Sequence, residues 1–504
     1  MALGQVMADN DALMPGAMWA SDLVAGIETH GIDLIAVGER RGHPRELFAV
    51  WAASNVTYLY IVIGGALMLL GLGVWQALTV VFAGNAFWAL VGLLAVSGPA
   101  SGAPSEVVTR AIYGIRGNRL QNAVLEWGIG VAYEALNLSI AALAAFALVG
   151  RLGGHAGTPT RVAIVLGTAL ASFTISVYGH ATIVRLSRWF TVGLLVCCAV
   201  LAFFVLRHAD LGYVGPSGSA MHGPELWAAI SVGFTLVAAA PLSWGTGADY
   251  SRYLPANTSP RAVAFWTAIG GLCPALILGA LGVLAGTVID MSDPQTSLRI
   301  IVPSWFYPVL LLVIMLGAVT NNVLTAYSTG LSLQAVGVQW KRSTTVVLDA
   351  AVAISITCYA LFVSNFLSTL NDMLALSVAF LGPALAVYGT DIVIRRNRYD
   401  ELELDDETPC GPCWYQHGVN LGGVGALLIG SAVALLGVNT ALVVGPLSHA
   451  LDGADISALA GPTVASIVYA VAARHQRRHA TRDAVRRGCV CIGSREGTHG
   501  TPLG

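Results

Sequence analysis

Along its length the chain alternates long apolar stretches with short polar connections, and twelve of those stretches are long enough to cross a bilayer as helices. They fall near 48–70, 75–97, 122–149, 162–179, 189–206, 226–247, 262–288, 305–335, 346–364, 373–394, 419–440 and 458–473. Two of them are not simple anchors. The sixth reads LWAAISVGFTLVAAAPLSWGTGADYSRYLP over 226–255 and runs from an uncharged helix into Ala240-Pro241-Leu242-Ser243-Trp244-Gly245-Thr246-Gly247. A proline and two glycines so close together break the hydrogen-bond ladder inside the bilayer. Each backbone group set free there costs several kcal/mol, so the break persists only where protein, water or a ligand satisfies it. The first stretch has a polar, β-branched centre, Ala53-Ser54-Asn55-Val56-Thr57, and Asn55 is costly in lipid unless it meets a partner. Two interrupted helices five spans apart suggest two inverted five-helix repeats with a binding site between the breaks.

The expected fold is therefore all-α and polytopic. A ten-helix core spans 48–394, with repeats near 48–206 and 226–394. A loop (395–418), two peripheral helices (419–473) and a tail (474–504) follow. Composition agrees: 56% of residues are hydrophobic, 11% are charged and mean hydropathy is +0.71, whereas a soluble chain carries about 25% charged residues. Lys and Arg concentrate on one side of the expected spans. With the N-terminus inside, only Arg151, Arg161, Arg207 and Arg299 of the 26 Lys and Arg fall outside, which places both termini in the cytoplasm of a cell membrane. Residues 1–47 show no basic-then-apolar run with a cleavage site and are expected to be a mostly disordered cytoplasmic tail.

Candidate chemistry lies on three spans. On the third, Glu126, Gly130, Tyr133 and Asn137 share one helical face, with Tyr133 roughly 16 Å into the membrane. A ring and an amide one turn apart can stack a flat solute and pair with its edge, or simply pack. Glu134 is an intramembrane acid and a candidate for proton coupling; Glu126 lies near enough to the span's start to reach the interface. On the eighth span, Asn321, Thr325, Ser328 and Ser332 form a polar stripe with Thr320 and Asn322 beside it, more than helix–helix adhesion requires. Its oxygens, with carbonyls freed in the first span, could hold a hard cation. Asp249 and Arg252, after the sixth-span break, suit an inner gate or helix stop, pairing with each other or bonding neighbouring loops. The acidic run Asp400–Glu407 is expected to be a solvated loop.

With HPRELFAVWAASNV, SGAPSEVVTRAIYGIRGN, ADYSRYLP and NNVLTAYSTGLSL in order between Arg40 and Arg398, the chain resembles the nucleobase–cation symporter family one, in particular its purine–cytosine permease branch. The resemblance implies the leucine-transporter fold, alternating access, and import of a flat heterocycle such as cytosine, a purine, allantoin or a hydantoin, driven by Na+ or H+. It implies an aromatic platform at Tyr133, where a Trp is usual, and an amide partner at Asn137, often a Gln in relatives. Ser243 and Trp244 would come from the broken sixth span, Asn321 and Thr325 from the eighth. A sodium site would use the carbonyls of Ala53 and Val56 and the hydroxyl of Thr320. Sodium-coupled relatives place a second hydroxyl where this chain has Val319, which leaves proton coupling open.

Other readings make distinct predictions. A carrier of another small organic solute could share the fold, and a channel would conduct without saturation or counterflow. A membrane thiol oxidoreductase would depend on Cys410 and Cys413, spaced as in redox motifs but set in a polar loop with no thioredoxin-like pattern around it. Beyond a coupling ion no cofactor is expected, nor a nucleic-acid or obligate protein partner.

Overall fold

The computed structural model describes residues 31–487 except 156, 179, 216, 217, 219, 339, 364 and 365. Most of the tail expected over 1–47, the end of the C-terminal tail, and Cys489 and Cys491 lie outside the described residues. Fourteen helices carry the architecture: α1 Arg45–Asn55, α2 Tyr58–Leu69, α3 Val74–Ser101, α4 Ile115–Arg151, α5 Thr158–Val177, α6 His180–His208, α7 Gly223–Leu242, α8 Gly247–Ser251, α9 Pro260–Gly286, α10 Phe306–Val336, α11 Arg342–Phe362, α12 Phe366–Arg395, α13 Leu421–Gly437 and α14 Ser457–Arg487.

Among the described residues, ten continuous stretches are long and apolar enough to cross a membrane, and α1 with α2 forms an eleventh, bent by 59°. The shorter apolar α13 completes the expected twelve; its 17 residues reach about 25 Å. Leu166, Leu170, Trp189, Phe203, Leu428 and Ile467 point outward and exposed, a surface that lipid would cover.

Both expected breaks are present. Val56 (φ −77°, ψ 67°) and Thr57 (φ −119°, ψ 146°) leave helical geometry. Asn55 donates to the Trp51 carbonyl at 2.8 Å and accepts from the Tyr60 hydroxyl at 2.8 Å, so the amide that lipid would penalise ties the two half-helices together. In the sixth span α7 stops just past Pro241, Ser243 donates to the Ala240 carbonyl at 2.8 Å, and helix resumes at Gly247. The breaks sit side by side, since Trp51 of α1 meets Trp244 edge-to-face at 5.2 Å and Tyr250 at 5.4 Å.

The helices form two groups. In the first, α9 packs along α1, α2 and α3, and α7 packs against α3. Here glycines bring backbones into contact: a Cβ on Gly64 would lie 2.1 Å from the Gly279 carbonyl oxygen, and one on Gly282 2.2 Å from that of Ile61. In the second, α4, α5, α10 and α11 pack on one another around a separate small core of Val131, Leu138, Ala169, Phe173, Ala326, Val346 and Ala353. Helices α13 and α14 pack together and against α12.

Two polar segments are more ordered than their composition suggests. Residues 31–44, expected to be disordered, form a packed strap. Ile35 is buried and its N–H donates to the Gly102 carbonyl at 3.0 Å, while Arg41 N–H donates to the Tyr253 carbonyl at 2.7 Å. The acidic run, expected to be a solvated loop, instead carries a short helix, Glu401–Asp405, capped by Asp400. Glu401 pairs with buried Arg40, and Glu407 pairs with Arg110 at 2.5 Å and Arg119 at 2.6 Å. The acidic run supplies the partners of buried Arg40 in the strap and of buried Arg110, so neither segment could be read from its own residues.

Candidate functional site

Between the two breaks lies a cavity. Four segments supply most of its polar lining. The break after α1 contributes Asn55 and Thr57, and the break after α7 contributes Ser243, Trp244 and Thr246. From α4 come Glu126, Gly130, Tyr133 and Asn137; from α10 come Asn321, Thr325, Ser328, Thr329 and Ser332. The faces expected from helical spacing on the third and eighth spans therefore meet across one space. The start of α4 is wound more loosely, as a π-helix over Asn122–Ile129, a form common beside functional sites.

Tyr133 shares a 2.9 Å hydrogen bond with Ser377 of α12, which fixes its ring at the cavity wall. Asn137 donates to Asn321 Oδ1 at 2.8 Å, and Asn321 donates in turn to the Ser54 carbonyl at 2.9 Å. The amides form a chain from α4 through α10 to the first break, and Thr325 hangs on it by donating to the Asn321 carbonyl at 3.2 Å. Among the described residues, no protein donor meets Asn137 Oδ1, so the cavity has an acceptor beside two aromatic rings, Tyr133 and Trp244.

Oxygens also converge behind the first break. The Thr320 hydroxyl lies 3.0 Å from the Ala53 carbonyl and 2.9 Å from that of Gly317. Gly317 sits so close to Val56 that a Cβ would lie 2.5 Å from the Val56 carbonyl oxygen. Three carbonyls and a hydroxyl are the donor set a hard cation takes; Val319 adds no oxygen.

The acids separate differently from expectation. Glu126 reaches the cavity rather than the interface: it accepts from Gln121 at 2.9 Å and lies against the sixth-span break, 3.1 Å from where a Cβ on Gly245 would be. A smaller cavity continues past it, lined by Glu106, Tyr113, Gln121, Asn122 and Tyr388. Burial and nearby Asp249 push the Glu106 carboxyl well above the usual range. Glu134, fully buried, turns away from the cavity toward Thr329 and Asp349. Asp349 was not singled out in the sequence, although a lone acid within an apolar span is itself a signal.

Asp249 and Arg252 both bond neighbouring segments. Asp249 accepts from the Ser105 N–H at 2.9 Å and from Ser328 at 2.6 Å, and Arg252 donates to the Gly31 carbonyl at 2.9 Å. Both are fully buried. Cys410 is exposed and Cys413 buried, and burial pushes the Cys413 thiol up to about 11, which leaves it a poor nucleophile.

Two relatives, one of them solved in two states, are similar to this chain. The Bacillus subtilis (strain 168) protein YxlA, named as a candidate purine–cytosine permease, is 24% identical over 462 residues, covering 88% of this chain and 95% of its own. Mhp1, a nucleobase-cation-symport-1 family transporter solved closed with bromovinylhydantoin bound, superposes with a TM-score of 0.72 at 19% identity, over 89% of this chain and 96% of its own. Its inward-facing form superposes at 0.68, with 17% identity over 90% and 96%. The leucine-transporter fold expected from the sequence is thus the fold of the chain. The model of one family, permeases for cytosine/purines, uracil, thiamine and allantoin, matches residues 35–461, and the chain belongs to that family of multi-pass membrane transporters.

Proposed function

We propose that this transporter imports a nucleobase or a closely related flat heterocycle, cytosine or a purine first, by cation symport with alternating access. The observation that carries the reading is the meeting of Tyr133, Asn137, Ser243, Trp244, Asn321 and Thr325 on one cavity between the two helix breaks. Stacking a base on an aromatic ring contributes on the order of 1–3 kcal/mol and accepts any flat ring. Choice among rings falls to the amide chain, because a solute that leaves Asn137 or Asn321 unmatched in a buried site is penalised. Hydantoins and allantoin fit the same chemistry; the hydantoin bound to Mhp1 supports including them.

The transport unit is the ten-helix core 48–394, with 419–473 peripheral, in the cell membrane and with both termini cytoplasmic, as the distribution of Lys and Arg supports. The coupling ion is Na+ or H+. The carbonyls of Ala53 and Val56 with the Thr320 hydroxyl would hold sodium, with Gly317 as a further carbonyl. Asn55 latches the first break, and Asp249 with Arg252 forms the inner gate. The deciding experiment is counterflow of labelled cytosine, adenine, hypoxanthine, uracil and allantoin into proteoliposomes, with and without sodium. Saturable, competing uptake of at least one is expected; saturation by none overturns the nucleobase assignment.

A further inference from the structure

We propose that Glu134 of α4 and Asp349 of α11, bridged by Thr329 of α10, form a proton-binding site that couples proton entry to solute transport; this rests on the symporter reading above. Both carboxyls are completely buried. Each contacts the single Thr329 hydroxyl, with Asp349 at 3.3 Å, and Trp127 donates its indole N–H to Asp349 at 2.6 Å. Glu134 Oε2 is buried with no hydrogen-bond partner.

Counting hydrogens identifies the missing occupant. The Thr329 oxygen has three oxygen neighbours: Glu134 Oε1, Asp349 Oδ2 and the Thr325 carbonyl. A hydroxyl carries one hydrogen and two lone pairs. It can donate to one of the three, so a carboxyl must bring a hydrogen of its own for its contact to be a bond. Two carboxylates within about 6 Å of each other and buried resist ionising together. One added proton answers both problems.

Among the described residues, the hydrogen bonds to the pair come from Thr329 and Trp127 and none from a cation. On α4 the other ionisable groups are Glu126, Tyr133, and the arginines near the helix ends. Glu126 is taken by Gln121 and Tyr133 by Ser377. Helix α5 offers only Arg161, which stacks on Phe146 at 5.4 Å, about 18 Å along α4 from Glu134. Helix α10 offers Tyr307 and Tyr327, and Tyr327 packs on Tyr250. On α11 Arg342 opens the helix, about 10 Å along the axis from Asp349, and Cys358 and Tyr359 lie beyond it. Among the other buried acids, Asp249 differs in having Arg252 close by, and Asp391 in pairing with Arg395.

The site also has a route to the solute. Thr329 lines the central cavity, and Gly130 packs against it so tightly that a Cβ there would lie 2.5 Å from Thr329 Cγ2. The site thus joins three helices of the second group, and a shift of α10 against α4 or α11 would change whether one hydroxyl still reaches both acids. In each cycle a carboxylate takes a proton from one side as an O–H and returns it as a carboxylate on the other.

The test uses the full chain in sodium-free proteoliposomes containing a pH-sensitive dye, with labelled cytosine, adenine, hypoxanthine, uracil and allantoin as solutes. Wild type should acidify the lumen when the transported solute enters and should accumulate it under an inward proton gradient. Glu134→Gln and Asp349→Asn should each lose accumulation and dye response by tenfold or more while exchanging solute with a half-saturation concentration within threefold of wild type. Thr329→Val, which keeps both acids, should shift the pH of half-maximal accumulation by at least half a unit. Either acid variant accumulating solute with the wild-type pH profile overturns the site, as does wild-type accumulation that requires sodium and moves no protons. If a variant fails to insert, the remaining variants and the wild-type proton flux decide. Absence of saturable exchange by wild type with any of these solutes would instead overturn the nucleobase reading, so the two failures are distinguishable.

Discussion

At the scale of the residue, the proposed site divides tasks between rings and amides. Tyr133 is held by Ser377 and Asn137 by Asn321, so each presents a fixed surface without first being ordered, a cost that binding would otherwise bear. Tyr133→Ala and Asn137→Ala should each raise the half-saturation concentration for counterflow tenfold or more; wild-type values in both would move the solute to another wall of the cavity. Cysteine chemistry gives an independent check. The thiolate is the reactive form, and Cys413 is buried with its thiol pushed up to about 11. Maleimide should therefore label exposed Cys410 readily and Cys413 slowly, with Cys413 labelling still rising as pH climbs through 9 and 10. Cys410→Ser/Cys413→Ser should transport as wild type does, and loss of transport would revive the thiol-enzyme alternative.

At the scale of the element, the parts that sequence reading reached were those whose causes are local. Pro241, Gly245 and Gly247 break the sixth span within one short run, and Asn55 marks the first break because an unpartnered amide is costly in lipid. The 3.6-residue repeat of α4 and α10 likewise put Tyr133, Asn137, Asn321 and Thr325 on faces that meet across one cavity. What it did not reach depends on distant partners: Glu134 was visible as a buried acid, but that Asp349 faces it across Thr329 is a fact of packing between α4, α10 and α11. The breaks also depend on how closely other helices approach. Gly317 of α10 lets the Val56 carbonyl come so near that a Cβ would lie 2.5 Å from it, too short for any real contact. Gly317→Val should force α10 away from the first break and cut uptake tenfold or more while leaving membrane insertion intact. Unchanged uptake would mean that this approach does not matter to transport.

At the scale of the whole molecule, alternating access needs two bodies that move against each other and a seal that opens on one face. In the proposed cycle the separate core shared by α4, α5, α10 and α11 would be one body, and α1, α2, α3, α7 and α9, joined through glycine contacts, the other. The proposed inner gate lies beside the strap at 31–44, which is tied to the end of α3 through Ile35 and to the segments after α8 and α12. Arg252 donates to the Gly31 carbonyl, Arg41 N–H to that of Tyr253, and Arg40, fully buried in its side chain, reaches Glu401 beyond α12. Breaking a buried ion pair by removing one partner costs far more than the pair itself contributes, because a charge is left stranded. Arg40→Glu should therefore loosen the strap, since it removes the buried cation and sets two acids against each other. With Ile35→Cys as a reporter in a Cys410→Ser background, maleimide labelling at this buried position should speed up severalfold in Arg40→Glu and return toward the parent rate in Arg40→Glu/Glu401→Arg. Equal labelling in all three would mean that the strap is held by its backbone bonds alone and that this face opens by moving the strap together with the helices, not by releasing it.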